Sequence, residues 1–301
     1  MTRTEGDSWD IVRSVGATAL GVAAARAVET ERPDALVRDE YAALFVAASG
    51  HPGMNRLIDD PAARSESPLM TGSVEYRSRF LDDAFLAATA AGVRQVVILA
   101  AGLDARAYRL AWPHGTVVFE LDRAEVLGFK RDVLTEHGAV PAADRREVAV
   151  DLRDDWPAAL IGAGVDPTAP IAWSAEGLLP YLPGAAHDAL IERIDRLSAP
   201  GSSVATDVFR DFGGLDQVAG SRESRDTPFA EIDLSQLLYT DDRTDPDIWL
   251  ADHGWTTSSL SPDELAARYG RSRRPMPEPY ARMFASIQYV SAVKSVTAPS
   301  A

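Results

Sequence analysis

The chain of 301 residues contains no cysteine. That one absence excludes disulfides, thiolate nucleophiles, zinc fingers and cysteine-held clusters. Positive charge is also scarce: 30 Lys and Arg stand against 45 Asp and Glu, a formal net charge of −15. Nucleic-acid affinity comes largely from neutralising phosphates with Lys and Arg, so no nucleic-acid partner is expected. Docking on an anionic membrane is disfavoured for the same reason. The longest charge-free stretch near the start, Ser14 to Ala25, is too short to span a bilayer. Met1 to Asp10 carries Asp and Glu rather than a basic segment, which predicts no signal peptide and a cytoplasmic setting. The five histidines, His51, His114, His137, His187 and His253, are scattered without ligand spacing, so no metal site is expected. There is no G-x-S-x-G, and hydrolase chemistry by a nucleophile elbow is unsupported. What is present is 46% apolar and 25% charged, an ordinary globular composition able to build a large core.

The pattern along the chain divides into three parts. Ser14 to Phe45 reads as helix broken at Pro33, with Asp39 to Ala48 resuming at helical spacing. His51 to Pro68 holds four breakers, Pro52, Gly53, Pro61 and Pro68, and reads as loop-rich. Glu75 to Ala91 is a third helix with Phe80, Ala84, Phe85 and Ala88 on one face. From there strands and helices alternate. Strand candidates are Gln95 to Ala100, Thr116 to Asp122, Arg146 to Val150, Ile171 to Ala175 and Ser202 to Phe209. Arg123 to His137, Asp154 to Ala163 and Gly184 to Leu197 are helical between them. Such alternation predicts right-handed βαβ units and a mostly parallel sheet with helices on both faces. Arg210 to Asp247 is acidic, turn-rich and too long for an ordinary connection, so it reads as a lid. Trp255 to Leu260 and Met283 to Val293 complete the pattern as an antiparallel edge pair, with Pro262 to Tyr269 helical between them. No linker divides the chain. The expectation is a single domain: a helical cap over about 14–91, a sheet core over about 92–209 and 251–294, and a lid over about 210–250.

In an open parallel sheet, ligands bind beyond the carboxyl ends of the strands at the topological switch point. Each of the first four strand candidates delivers a carboxylate there: Asp104 after Ala101-Gly102-Leu103, Glu120 and Asp122, Asp151 before Leu152, and Glu176 before Gly177. Asp and Glu also favour turns and helix N-termini. Four in succession, however, repel one another unless cationic or donor-rich groups gather there. A dinucleotide asks for G-x-G-x-x-G; only Gly102 is present, and a carboxylate rim is a poor host for diphosphate. Ribose hydroxyls and an adenine amino group are donors that carboxylates accept. Asp122 lies twenty positions after Gly102, where an acidic residue reaches a ribose diol in dinucleotide folds. Asp151 and the Leu152 amide suit two edges of adenine. The ligand these residues favour is an adenosine without phosphates bearing a cation, and S-adenosylmethionine is such a molecule.

Leu99 to Arg106, Phe119 to Asp122, Asp151-Leu152-Arg153 and Glu176 to Leu182 together resemble the leucine carboxyl methyltransferase superfamily. The likeness is to its bacterial branch of candidate S-adenosylmethionine-dependent methyltransferases. Arg26 to Glu29, Asp39 to Ala42 and Tyr76 to Asp83 resemble the same branch, and the similarity runs from about Ser14 to Phe209. The resemblance implies a class I methyltransferase (Rossmann-like) α/β fold with a seven-stranded sheet. It implies that Arg77 pairs with the cofactor carboxylate, a bidentate task suited to guanidinium. Ala101 and Gly102 then lie against the methionyl portion, Asp122 holds the ribose, and Asp151 and Leu152 hold the adenine. Glu176 sits near the methionyl amine or the sulfonium. The family commonly carries Gly where this chain has Ala100, which alanine tolerates if that φ is negative.

Arg79 competes with Arg77 for the cofactor, and Glu120 shares the strand face of Asp122. Tyr181 is a candidate for the acceptor pocket or for packing; Tyr108 and Trp112 read as packing. Asp154 and Asp155 fit a helix N-terminus better than a Mg²⁺ site. Arg271 to Arg274 is a small basic cluster, most simply a solvated patch. The expected activity is methylation of a carboxyl or hydroxyl oxygen on an unidentified small molecule or protein carboxylate, and no catalytic base is assigned. The alternatives are a nicotinamide-dependent oxidoreductase, which the missing glycines disfavour, and a non-catalytic S-adenosylmethionine-binding protein.

Overall fold

A computed structural model describes residues 14–66, 73–212, 237–273, 275–276 and 278–295. Seven strands form one sheet: β1 (Gln95–Leu99), β2 (Val117–Asp122), β3 (Asp144–Ala149), β4 (Ile171–Ala175), β5 (Ser203–Phe209), β6 (Trp255–Leu260) and β7 (Ile287–Lys294). Their spatial order is β3-β2-β1-β4-β5-β7-β6. Neighbours from β3 through β5 are parallel, and β7 runs antiparallel to both β5 and β6. Chain order reverses direction between β1 and β4, which places the switch point beside their carboxyl ends.

The central strands are mostly apolar because both their faces are covered. Val97, Leu99, Phe119, Leu121, Trp173 and Val208 point to one side. There they pack with Trp156 and Leu160 of α8 (Trp156–Gly162) and with Leu190, Ile191 and Ile194 of α9 (Gly184–Leu197). The alternate residues Val96, Ile98, Val118 and Ala172 meet Phe85 and Ala88 of α5 (Val74–Ala90). The N-terminal cap is α1 (Ser14–Thr30), α2 (Ala42–Ser49), α3 (Pro52–Asp59) and α4 (Pro61–Glu66). Its Leu20, Phe45, Val46 and Met54 are fully buried with Leu103 and Ala105 of the loop after β1 and Val133 and Leu134 of α7 (Ala124–Glu136). At about 1.5–3 kcal/mol for each large apolar side chain removed from water, this docking fixes the cap over that loop.

Three expectations change. His51 to Pro68, read as loop, contains α3 and α4: Pro52 and Pro61 open these helices, where a missing N–H costs nothing. His51 caps α3, its Nδ1 accepting from Met54 N at 3.4 Å. Met283 was placed in the last strand but lies in α12 (Glu278–Ala285); the strand begins at Ile287. Between β1 and β2, α6 (Arg106–Arg109) adds a turn of helix that periodicity does not reveal. The proposed lid falls largely outside the described residues. Its described end docks on the core, with Tyr239 N donating to Pro180 O at 2.9 Å and Gly184 N to Asp241 at 2.7 Å. Pro246–Asp252 forms α10, whose Leu250 is buried in the sheet core, and α11 (Pro262–Arg268) follows β6 with a Ser261–Glu264 capping box.

Candidate cofactor site at the switch point

The loop leaving β1 is held in an unusual backbone conformation. Ala100 has φ +50°, the single non-glycine residue with positive φ among the described residues, and Gly102 has φ +46°. The condition under which alanine is readily tolerated here, a negative φ, is not met. An L-residue in this region brings Cβ close to the following carbonyl, at a cost of about 1–2 kcal/mol. The loop is over-determined by its bonds: Ala101 N donates to Leu121 O at 2.9 Å and Gly102 N to Asp122 Oδ2 at 2.7 Å. The other oxygen of Asp122 accepts from Arg123 N at 2.7 Å. Burial pushes the Asp122 carboxyl up, against the pull of these two amides. Both oxygens are thus oriented, with acceptor capacity left over.

At the end of β4, Glu176 lies between two arginines. Arg77 Nε donates to it at 3.0 Å from the first turn of α5, and Arg106 Nη1 at 2.8 Å from α6. Burial alone would raise the Glu176 carboxyl; Arg106 and Arg77 outweigh it and hold it well below the usual carboxylate range. Arg77 also donates to Asp207 of β5 at 3.3 Å, and Asp207 accepts from Gly177 N at 2.7 Å. Gly177 has φ +55°, and a Cβ there would stand 3.3 Å from Arg77 Nη1, so the guanidinium lies directly over this glycine. Arg77 Nη2 makes no hydrogen bond among the described residues, leaving N–H donors for a ligand.

Asp151, after β3, is gripped by Arg153 at 2.7 and 2.9 Å. The Arg153 hydrogen bond is the main cause that lowers its pKa to about 2. The half-buried Leu152 packs on the core, and its backbone N–H has no acceptor among the described residues.

The structure separates the competing candidates. Arg79 is half-buried on α5, pairs with Asp83 at 2.8 Å and lies over the Tyr269 ring. Glu120 is fully buried, held by Lys130 at 2.8 Å and Arg145 at 2.6 Å. It therefore braces β2 against α7 and β3 and leaves the rim to Asp122. Lys130 also donates to Asp104 O at 2.9 Å, tying the β1 loop to that brace. Tyr108 packs on Tyr41 and under Arg145, and Trp112 Nε1 donates to Arg106 O. Asp155 caps α8, accepting from Ala158 N at 3.3 Å. Arg271 is no solvated patch: it is mostly buried and pairs with Glu29 of α1 at 3.1 Å, fastening the C-terminal region to the cap. Arg274 lies outside the described residues.

Sequence reading missed Asp207, Arg106, Asp82 and Arg109. Arg106 and Arg109 both grip Asp82 of α5, each at 2.6 Å, and Arg109 approaches Asp39 at 4.0 Å. Arg26 of α1 closes on Asp39 at 2.8 Å and on Leu103 O at 2.7 Å. Asp207 carried one local signal, a carboxylate inside an otherwise uncharged strand. Two partners of Arg106, Asp82 and Glu176, lie 24 and 70 positions away and carried none.

Comparison with known proteins identifies the family. The profile of the Leucine carboxyl methyltransferase family matches residues 19–195, more than half of the chain. A candidate S-adenosyl-L-methionine-dependent methyltransferase of Rhodococcus jostii is 55% identical, covering 97% of this chain and 100% of its own. One of Mycobacteroides abscessus is 50% identical, covering 97% and 96%. The crystal structure of a DUF574 family protein from Streptomyces avermitilis superposes with a TM-score of 0.50 at 15% identity, over 90% of this chain and 96% of that one. That likeness concerns the fold alone. With its seven-stranded sheet and class I methyltransferase architecture, the chain belongs to the leucine carboxyl methyltransferase family.

Proposed function

We propose that this S-adenosylmethionine-dependent methyltransferase grips its cofactor along the carboxyl rim of β1, β2, β3 and β4. Arg77 takes the methionyl carboxylate and Glu176 the methionyl amine. Ala101 and Gly102 lie beside the methionyl chain, Asp122 accepts from the ribose, and Asp151 with the Leu152 amide reads the adenine. The observation that carries this reading is the Arg77–Glu176 pair at the switch point, with Arg77 Nη2 still unengaged. A zwitterionic amino-acid end needs such an adjacent cation and anion, and guanidinium is suited to hold a carboxylate in two-point geometry. The free Leu152 amide and the two-point orientation of Asp122 fit the nucleoside end in the same way.

Bound there, S-adenosylmethionine supplies an electrophilic methyl group. The protein supplies alignment and a dry cavity, which is where the rate of an in-line displacement is gained. The acceptor we propose is an oxygen nucleophile, a carboxyl or hydroxyl group on a small molecule or a protein carboxylate. A carboxylate is nucleophilic at neutral pH, so no side chain is assigned as a base. The N-terminal cap closes over it. We further propose that the chain works as one domain in the cytoplasm, without nucleic acid; no helix among the described residues is long and apolar enough to cross a membrane.

Incubation with labelled S-adenosylmethionine and a cell extract tests this reading. Label should enter a base-labile ester or an ether of one acceptor. Label in an N-methyl or C-methyl product would contradict oxygen transfer, and absence of calorimetric binding by the cofactor would contradict the site.

A further inference from the structure

The ion pairs around the site do not balance. Among the described residues one continuous run joins Arg26, Asp39, Arg109, Asp82 and Arg106. At Arg106 it branches to Asp104 and to Glu176, and through Arg77 it ends on Asp207. Four arginines thus face five carboxylates. The neighbouring cluster supplies no spare cation: Lys130, Arg145 and Arg131 are matched by Glu120, Glu147 and Asp132. Asp207 is the terminal member and is 1% exposed. One of its oxygens fixes Gly177 N, and the other shares Arg77 with Glu176. The facing residue on β7 is Tyr289, which brings no positive charge. The unmatched negative charge therefore lies under the end of β4, where salt screens it little.

S-adenosylmethionine carries one more positive charge than its demethylated product, because transfer turns the sulfonium into a neutral sulfide. Resting on the site reading above, we infer that Asp207 is a specificity-determining residue. It gives the methionyl end of the site the negative charge that favours the sulfonium cofactor over the product, and it holds Arg77 and Gly177 in place. Transfer of the methyl group removes the matching positive charge, so the product is held less well than its remaining contacts alone would provide.

Asp207→Asn keeps an oxygen for Gly177 N and nearly the same shape while removing the charge. Calorimetric titration of wild type and variant with S-adenosylmethionine and with S-adenosylhomocysteine reads the effect without turnover. The ratio of the two dissociation constants, cofactor over product, should rise several-fold in the variant. An unchanged ratio, with both affinities falling together or neither moving, would overturn the role of Asp207 while leaving the site intact. Binding of neither compound to wild type would overturn the site reading itself.

Should the variant not fold, the wild-type ratio measured on mild acidification gives the same information. The groups facing Asp207 are Arg77 of α5, Glu176 and Gly177 after β4, and Tyr289 of β7. Glu176 is held low and Tyr289 is pushed up, so neither changes charge there. Burial raises Asp207, against Arg77 and the Gly177 amide. The ratio should rise as pH falls towards the acid limit of the folded protein; a ratio constant over that whole range would overturn the inference. Protonation of Asp122, near the nucleoside, weakens both ligands alike.

Discussion

Gly102 donates its backbone amide to Asp122 Oδ2 at 2.7 Å, joining the loop after β1 to the last residue of β2. The bond sets the carboxylate of Asp122 at the rim before any ligand arrives. Asp122→Ala should therefore weaken cofactor binding without unfolding the protein. Hydrogen bonds to a charged group contribute about 1.5–3 kcal/mol, which corresponds to a roughly ten- to hundredfold loss of affinity. Calorimetry with S-adenosylhomocysteine, beside circular dichroism of the variant, checks this. Full affinity would remove Asp122 from the site.

Ala100 occupies the left-handed region at φ +50°. Ala100→Gly relieves about 1–2 kcal/mol of strain but frees the unfolded chain by roughly 0.5–1 kcal/mol. The net expectation is a gain of up to about 1.5 kcal/mol, read as a small upward shift of the thermal midpoint. A drop in the midpoint would show that the alanine methyl contributes more by packing than its backbone costs.

Gly177→Ala should act in the opposite direction. Its φ of +55° disfavours a side chain, and the new Cβ would stand 3.3 Å from Arg77 Nη1. Displacing Arg77 should weaken S-adenosylhomocysteine binding several-fold beyond any change in stability. Unaltered affinity in a folded variant would separate Arg77 from ligand binding.

Acid stability follows from the same ion pairs. Glu176, Asp104 and Asp151 have folded pKa values below their ordinary ones. Carboxylates of this kind bind fewer protons folded than unfolded, so their stabilisation is complete above the unfolded value. It is lost as pH falls, for Asp151 between the ordinary 3.8 and about 2. Asp122 and Asp207, both raised, have the reverse sign and stabilise the fold as they protonate. Glu75 is also raised, but Asp188, Asp241 and Glu264 are lowered too, so the lowered groups outnumber the raised ones and urea midpoints should fall as pH drops below about 4. A midpoint that holds or rises there would contradict the described network.

Much of the sheet and its rim was legible in the sequence. Val96 to Leu99 is a continuous apolar run, and Ile171 to Ala175 is interrupted only by Ser174, because parallel strands are buried on both faces. A residue that follows a strand, such as Asp151 or Glu176, is placed at the rim by chain continuity alone. The partners of those carboxylates were not legible. Arg77 and Asp207 lie 130 positions apart and meet only because α5 crosses β5. Pro52 and Pro61 misled for a different reason, since proline both breaks a helix and starts one. At Ala100 the residue type argued against the backbone conformation that its hydrogen-bonded neighbours impose.

A crystal structure with S-adenosylhomocysteine bound would place the ligand against every residue assigned to it. The expected result is the ligand carboxylate on Arg77, its amine near Glu176, the ribose hydroxyls on Asp122 and the adenine between Asp151 and the Leu152 amide. A ligand seated away from the ends of β1 and β4, with Arg77 still closed on Glu176 and Asp207, would contradict the site and the chemistry drawn from it.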